Sequence, residues 1–499
     1  MIVLVHKENT VQNKAFLDGV SVALSKGSTV EHLIQLAQLY PDEWIGWSDR
    51  ERSAREWKEL FEKKPTNYTV LSRGEAPGFL HQGIDYVEDS PYINFKVNNW
   101  YPTWIMSAQM GLIHSSLLIL IPSVKMMGNF AYDINLFTRS VQSQGVFCYS
   151  NLYGALEKSA KESSFLLYRF ISETQKKGWV FLLFLCHLWM ERRFPFLAFA
   201  KALLHMVKAI KIDLSMIQNS SALEIIDTDY DVIIPTIGRA DYLKNVLKDL
   251  AEQTVLPQKV IIIEQDADLF STTDLHYLEQ ENWPFQITHK FIHQTGACNA
   301  RNLGLKETDA SWVLFFDDDI RFDHHLMESI FKSLQQTRSL VINLCCLQKG
   351  EVENQKTYKQ WSYFGSGCSI VHKDVIKQCS FDMALEHGYG EDVDYGMQIR
   401  NAGYDVIYAP QIQILHLKAP VGGFRKPHVF PWHDQKVLPK PSPQIMYYRK
   451  KNYTQRQLLG YKMVQFFKTY GVFDTKLPWM HYKKYKQAWE QSEKWGTQL

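Results

Sequence analysis

The chain has 499 residues, 45% of them hydrophobic and 22% charged. That length is too great for one ordinary core, and the composition excludes a disordered or fibrous chain, so two or three folded domains are expected. The formal net charge of +2 hides an asymmetry: residues 435–499 hold 13 Lys/Arg against 3 Asp/Glu, with many Tyr, Trp and Phe.

Residues 1–160 read as an α/β domain. IVLVH begins as a strand, TVEHLIQLAQLY has the apolar spacing of an amphipathic helix, and EWIGWSDRE is a strand ending in polar residues. Further on, AYDINLFTRSVQSQGVFCYSNLYGA parallels the later DVDYGMQIRNAGYDVIYAPQIQI. Each runs from an Asp through a helix with an Arg to a Gly and a strand. The parallel predicts an internal repeat whose first copy has decayed, with Ser48-Asp49-Arg50-Glu51 where the second copy has three aspartates. The competing reading is that any two α/β segments look alike at this level.

Residues 161–228 read as a helical connector. FLLFLCHLWMERRFPFLAFAKALLHMVKAIK is apolar, with Arg192, Arg193, Lys201, Lys208 and Lys211 interspersed. It is either a basic amphipathic surface resting on a membrane or a helical hairpin packed between domains with Pro195 in its turn. The longest apolar run, 178–190, falls short of the roughly 20 residues that a spanning helix needs. The five apolar residues at the start are too few for a secretory leader, so no transmembrane segment is expected. Seven cysteines without a C-x-x-C spacing read as free thiols in a reducing compartment.

The polar stretch 212–230 marks a boundary, after which a domain over 229–434 is expected. YDVIIPTIGR is a strand running into a turn, ADYLKNVLKDLAEQ a helix, KVIIIEQD a strand and ITHKFIHQ a third strand. ACNARNLGLKET opens a helix and WVLFFDDD is a fourth strand. Strands rich in Val, Ile and Phe that alternate with helices predict a mostly parallel, Rossmann-like sheet covered on both faces. Ligands bind such sheets at the carboxyl ends of the strands. Thr236 and Arg239, Glu264 and Asp266, and the run Asp317, Asp318, Asp319 all fall there.

Three adjacent aspartates at a strand end suit a hard divalent cation shared with a substrate's phosphates. The alternative is an acidic loop capping the next helix. Arg301 and Asn302 lie in the first turn of a predicted helix, where Arg and the helix N-terminus both favour phosphate. The alternative there is a surface helix with an incidental Arg. In YGEDVDYGMQIRNAGY, Glu391, Asp392 and Asp394 precede a helix. A carboxylate there could act as a general base or serve as an ordinary N-cap. His416 follows a strand in ILHLKAPVGGFR, as a metal ligand or a structural histidine, with Gly422-Gly423 suggesting a mobile loop after it.

Taken in order, VIIPTIGR, IIIEQD, GACNARNLGL, FFDDD, FGSGCSIVHKDV, GYGEDVDYGMQIRNAGY and His416 resemble the inverting glycosyltransferases of family 2, which have the GT-A fold. The resemblance covers about residues 229–430. EDVDYG looks most like the bacterial galactofuranosyl- and rhamnosyltransferase branches. The resemblance implies that Pro235, Thr236 and Arg239 line the nucleotide pocket, and that Glu264 and Asp266 contact base or ribose. Arg301 and Asn302 would lie near the donor diphosphate. Asp317 and Asp319 would carry Mn²⁺ or Mg²⁺ with His416, Asp318 would face the donor, Asp392 would be the catalytic base and Glu391 would bind the acceptor. The second strand reads EQD where the family often has an Asp or Asn pair.

The implied activity moves a sugar from a UDP- or dTDP-sugar to a glycan or lipid-diphosphate-linked glycan, as in bacterial surface polysaccharide synthesis. Nucleic acid is not an expected partner. The N-terminal domain lacks the triplet, the Glu-Asp pair and the late His, and is expected to be a degenerate, non-catalytic GT-A-like domain. The basic aromatic helical extension, 435–499, suggests a cytoplasmic protein that rests peripherally on the inner face of the plasma membrane; the alternative is a solvated helix packed on the catalytic domain. Two rival functions are a non-catalytic scaffold, which would have lost the acids in both halves, and a sugar nucleotidyltransferase, which would need a Gly-rich basic loop after the first strand.

Overall fold

The computed structural model describes residues 1–6, 14–17, 20–63, 65–121, 127–154, 164–205, 210–217, 226–420, 428–471, 473 and 477–499. The expected loop at Gly422-Gly423, Lys208 and the middle of the 212–230 boundary lie outside these residues. The chain forms two compact units, residues 1–222 with 453–472 and residues 223–452 with 473–499.

The first unit begins with β1 (Ile2–Val5), β2 (Lys14–Leu17), β3 (Val20–Val22), α1 (Thr29–Leu39), β4 (Trp44–Ser48), α2 (Ala54–Phe61) and β5 (Thr69–Glu75). It continues with β6 (Trp100–Pro102), β7 (Met110–His114), α3 (Ser115–Ile119), α4 (Phe130–Val141) and β8 (Phe147–Tyr153). α1 and α2 each open with a capping box, Ser28 with Glu31 and Ser53 with Glu56, so their starts are written in the sequence. The buried indole of Trp47 fills the space over Gly111, where a Cβ would come within 1.9 Å of it.

Three helices follow: α5 (Ser164–Thr174), α6 (Lys177–Met190) and α7 (Phe196–Leu204). They send Leu167, Phe170, Val180, Leu183, Ala198 and Ala202 into the same core as β1 and β4. This stretch is therefore part of the first unit rather than a connector lying between two domains. Its outer face leaves Phe194 67%, Leu197 69% and Leu204 84% exposed.

The second unit runs β9 (Tyr230–Thr236), α8 (Ala240–Ala251), β10 (Lys259–Gln265), α9 (Tyr277–Gln280), β11 (Gln286–Ile292), α10 (Ala297–Leu305) and β12 (Trp312–Phe316). Then come β13 (Ile320–Arg321), α11 (Leu326–Thr337), β14 (Val341–Gln348), β15 (Lys359–Gln360), β16 (Cys368–His372), α12 (Lys373–Ile376), α13 (Glu391–Asn401) and β17 (Ile407–His416). Both faces of this sheet are covered, which is why its strands read as unbroken apolar runs. Val232, Ile234, Val260 and Ile262 enter one core, while Ile233, Ile261 and Ile263 enter the other. β11, β10, β9 and β12 are parallel neighbours. The strand β16 runs antiparallel to β12 and β14, so the mostly parallel sheet carries one antiparallel inner strand.

Three further helices complete the chain: α14 (Pro443–Asn452), α15 (Gln455–Lys468) and α16 (Pro478–Gly496). The basic tail is not a single extension, because α15 belongs to the first unit and α14 and α16 to the second. Gly460 of α15 lies so close to the Tyr86 carbonyl that a Cβ would be 2.1 Å from it, and Thr454 donates to Asp85.

The two sheets share a strand order, β3-β2-β1-β4-β7-β5-β8 and β11-β10-β9-β12-β16-β14-β17. Their first strands differ, since β1 and β2 are antiparallel and β9 and β10 parallel. The correspondence extends to residues. Trp44 pairs with His114 and Trp312 with His372 at the same end of each strand pair, with edge-on rings 5.0 and 4.8 Å apart. Each of these histidines also accepts a backbone N–H from the helix that follows it, α3 or α12. Asp133 and Asp394 are both the fourth residue of their helices and both buried.

Candidate active site

β12 is buried along its length, so its end holds Asp317, Asp318 and Asp319 in fixed positions. Asp318 turns inward and accepts hydrogen bonds from the Thr236 hydroxyl and from Arg239, each at 2.7 Å. Burial pushes its carboxyl up to about 6 against the pull of Arg239 and Thr236. Asp319 is equally buried. It meets Arg239 at 3.3 Å, His416 Nε2 at 3.3 Å and the Ala419 N–H at 2.8 Å. Burial raises its pKa, but His416 and the Ala419 N–H outweigh burial and hold it low. The hydrogen bond to Asp319 in turn raises His416. The pairing of Ile320 with His416 in β13 and β17 brings these two groups together. Asp317 is more open, and Arg301 reaches it at 3.2 Å. Its carboxylate fits only because residue 367 is glycine, where a Cβ would be 2.0 Å from Oδ2.

The second pole of the site is the start of α13. Its N-cap is Gly390, so neither acid serves as the cap. Asp392 accepts the Ser366 N–H at 3.2 Å. Burial raises its pKa, the charge of Arg301 opposes that, and Asp317 adds to it. Glu391 beside it is pushed up to about 7, first by burial and then by the charge of Asp392. Arg301 is buried against the ring of Phe381, 5.6 Å from its centroid. The structure thus gathers Asp317, Arg301 and Asp392 from three separate elements.

Other expected site residues are engaged elsewhere. Glu264 accepts from the Thr273 hydroxyl, the Asp274 N–H and His289, and so holds the loop after β10 rather than facing outward. Asn302 clamps the backbone of Phe381, donating to its carbonyl and accepting its N–H. Asp266 closes a turn by accepting the Asp268 N–H. Pro235 lies at the end of β9 beside Thr236. Arg239 is bound to the aspartates themselves.

Residues that sequence reasoning missed decide the remaining shape. The carboxylate of Glu386 accepts the Cys298 and Asn299 N–H groups, so the N-terminus of α10, expected to meet phosphate, already holds an anion. Gln265 accepts the Gly296 N–H at 2.6 Å. Lys451 of α14 joins Asp394 to Asp382 at 2.9 and 2.6 Å. Such long-range partners leave no local sequence signal.

Among the described residues, no group of three or more His, Cys, Asp or Glu side chains is gathered to hold a metal ion. Asp319 and His416 touch, with Asp317 two residues away along the chain. Among them too, no helix is long and apolar enough to cross a membrane.

Residues 231–385 match the family model described as glycosyl transferase family 2. Over these residues, less than half of the chain, the second unit is similar to a family 2 glycosyltransferase domain of the GT-A fold, and the match ends before Asp392 and His416. An uncharacterized glycosyltransferase of Rickettsia bellii is 25% identical over 171 residues, which are 34% of this chain and 24% of that protein. One from Haemophilus influenzae is 25% identical over 109 residues, 22% of this chain and 35% of that protein. The match thus spans only a quarter to a third of the length of these relatives. Among solved structures, S. aureus TarS 1–349 in complex with UDP-GlcNAc is 16% identical with a TM-score of 0.37, covering 53% of this chain and 79% of that one. Mannosyltransferase PcManGT from Pyrobaculum calidifontis, in complex with GDP-Man and Mn²⁺, is 14% identical with a TM-score of 0.30, covering 53% and 69%.

The geometry at α13 predicts that the Glu391 carboxyl titrates near pH 7 and that Asp392→Asn lowers it, since one of its two upward pushes is removed. Carboxyl-carbon NMR titration measures this; an unchanged midpoint in the variant would separate the two acids.

Proposed function

We propose that the second unit transfers a sugar from a nucleotide-diphosphate sugar to an acceptor hydroxyl, inverting the anomeric configuration, with Asp392 as the base. The observation that supports this most is the grouping of Asp392, Arg301 and Asp317 at the carboxyl end of the sheet. Burial makes the Asp392 carboxylate there a stronger base than a free one. In this reading Asp392 removes the acceptor's proton as its oxygen attacks the anomeric carbon, and the bond to the diphosphate breaks on the opposite face. Arg301 offers its guanidinium to the departing diphosphate, whose charge grows as the bond breaks. Pro235, Thr236 and Asp266 border the nucleotide, and Asp318 fixes Arg239 beside it. Glu391 binds the acceptor. Glu264 and Asn302 act as positioning residues for the walls of the site. The donor class is a UDP- or dTDP-sugar and the acceptor a glycan or a lipid-diphosphate-linked glycan.

The donor set Asp317, Asp319 and His416 fits a divalent cation such as Mn²⁺ or Mg²⁺ in its chemistry, two carboxylates and an imidazole. Gly367 leaves room for the Asp317 carboxylate. A bound ion would supply positive charge for the diphosphate.

The outer face of α6 and α7 supports peripheral contact with an anionic membrane. Phe194, Phe196, Leu197 and Trp189 are exposed there, and Arg192 and Lys201 lie among them. Exposed aromatics with interspersed cations are the pattern of a helix lying in the lipid interface.

Three outcomes are expected. Asp392→Asn lowers kcat by roughly 10²–10⁴-fold while donor binding, followed by calorimetry, is retained; wild-type turnover by this variant would remove Asp392 from the base role. EDTA stops transfer, Mn²⁺ or Mg²⁺ restores it, and Asp319→Asn weakens Mn²⁺ binding in calorimetry. Full activity in chelator would rule out the metal. The chain co-sediments with phosphatidylserine vesicles at low salt, and replacing Phe194, Phe196 and Leu197 together by Ser releases it. A wild-type chain left in the supernatant would exclude membrane contact.

A further inference from the structure

The first unit has its own pocket at the carboxyl ends of its strands, and arginines line it. The register of the two sheets aligns them residue by residue at this point. Ser48 pairs with Met110 where Phe316 pairs with Cys368, and the next N–H, of Asp49 or Asp317, bonds to the carbonyl of Gln109 or Gly367. Asp49, Arg50 and Glu51 therefore stand where Asp317, Asp318 and Asp319 stand. At the helix start, Phe130 and Ala131 occupy the places of Glu391 and Asp392. The first unit has neither the triplet nor the base.

In their place is a cavity of about 300 Å³ lined by Arg50, Arg52, Arg55, Arg73, Glu59 and Tyr153, among others. The four arginines share three carboxylates. Arg50 and Arg52 meet Glu56, Arg52 also meets Asp49, and Arg55 and Arg73 meet Glu59. One positive charge is left over. Arg73 also donates through Nε to the Tyr153 hydroxyl. The Nε of Arg52 is buried without a hydrogen-bond partner, which is costly for a guanidinium unless a ligand completes it. The side chains of Arg50 and Arg55 remain 59% and 89% exposed, so two forks are accessible from solvent.

We propose that this pocket is a non-catalytic binding site for a diphosphate group, held by arginines without a metal ion. Guanidinium forks match phosphate oxygens bidentately and stay charged at any physiological pH. Ligands of α/β sheets bind at the strand carboxyl ends. A metal-binding acidic triplet there requires a cation before it can hold diphosphate. The arginine cluster carries the positive charge itself. With Phe130 and Ala131 at the base positions, a bound molecule would be held and not turned over. This inference does not depend on the activity proposed for the second unit.

The test is calorimetric titration of the full chain with inorganic pyrophosphate and with UDP, in EDTA. Wild type is expected to bind pyrophosphate with an affinity that falls as salt rises, and Arg50→Ala with Arg55→Ala is expected to weaken it at least tenfold without lowering the thermal midpoint. Both side chains are largely exposed, so the fold tolerates their loss. Equal affinity for UDP and pyrophosphate identifies the diphosphate itself as the recognised group, as in a diphosphate-linked glycan; tighter UDP binding identifies a nucleotide. Absence of pyrophosphate binding by wild type, or equal binding by the double variant, overturns the proposal.

Discussion

The second unit depends on compensating three adjacent carboxylates at the end of one buried strand. Asp318 and Asp319 are almost wholly removed from water, at 3% and 2% exposure. Leaving a buried charge unpaired costs roughly 3–5 kcal/mol. Arg239 answers both of them, Thr236 and His416 take one each, and Arg301 covers Asp317. The compensation draws on the end of β9, the start of α8, the middle of α10 and the end of β17 at once. The requirement to neutralise the triplet therefore also assembles the site.

That arrangement alters the meaning of the triplet. Read along the chain, three aspartates ask for a cation to relieve their repulsion. In the folded unit the protein's own cations do much of this, and Asp318 is committed to Arg239 and Thr236. Asp317 is the most accessible of the three. Much of the positive charge at these strand ends thus comes from the protein's own guanidinium groups and His416.

The first unit shows the same frame with a different set of charges at the strand ends. The Trp–His pair, the histidine that caps the next helix and the buried helical Asp recur in both sheets. These features are packing solutions, indifferent to what the strand ends bind. The residues just beyond the strands differ between the units: an aspartate triplet in the second, an arginine cluster in the first. A framework set by side-chain packing can host either charge because the binding groups lie outside its core.

Period, apolar runs and turn residues determined the elements of this protein, since those are local properties. The apolar runs of β9, β10 and β12, the helix after Arg239, and the likeness of residues 131–155 to 392–414 were all legible in the amino acids. So was the likeness of residues 231–385 to family 2 glycosyltransferases, because the motifs keep their order along the chain. Tertiary structure alone decided the pairings. Nothing near Glu386 in the chain says that it occupies the N-terminus of α10, or near Lys451 that it neutralises Asp394. No local pattern tells that α15 joins the first unit while its neighbours join the second, or that Arg50, Arg52, Arg55 and Arg73 meet around one cavity. Charge compensation acts through space, across tens to hundreds of residues, and a linear pattern carries no record of distance.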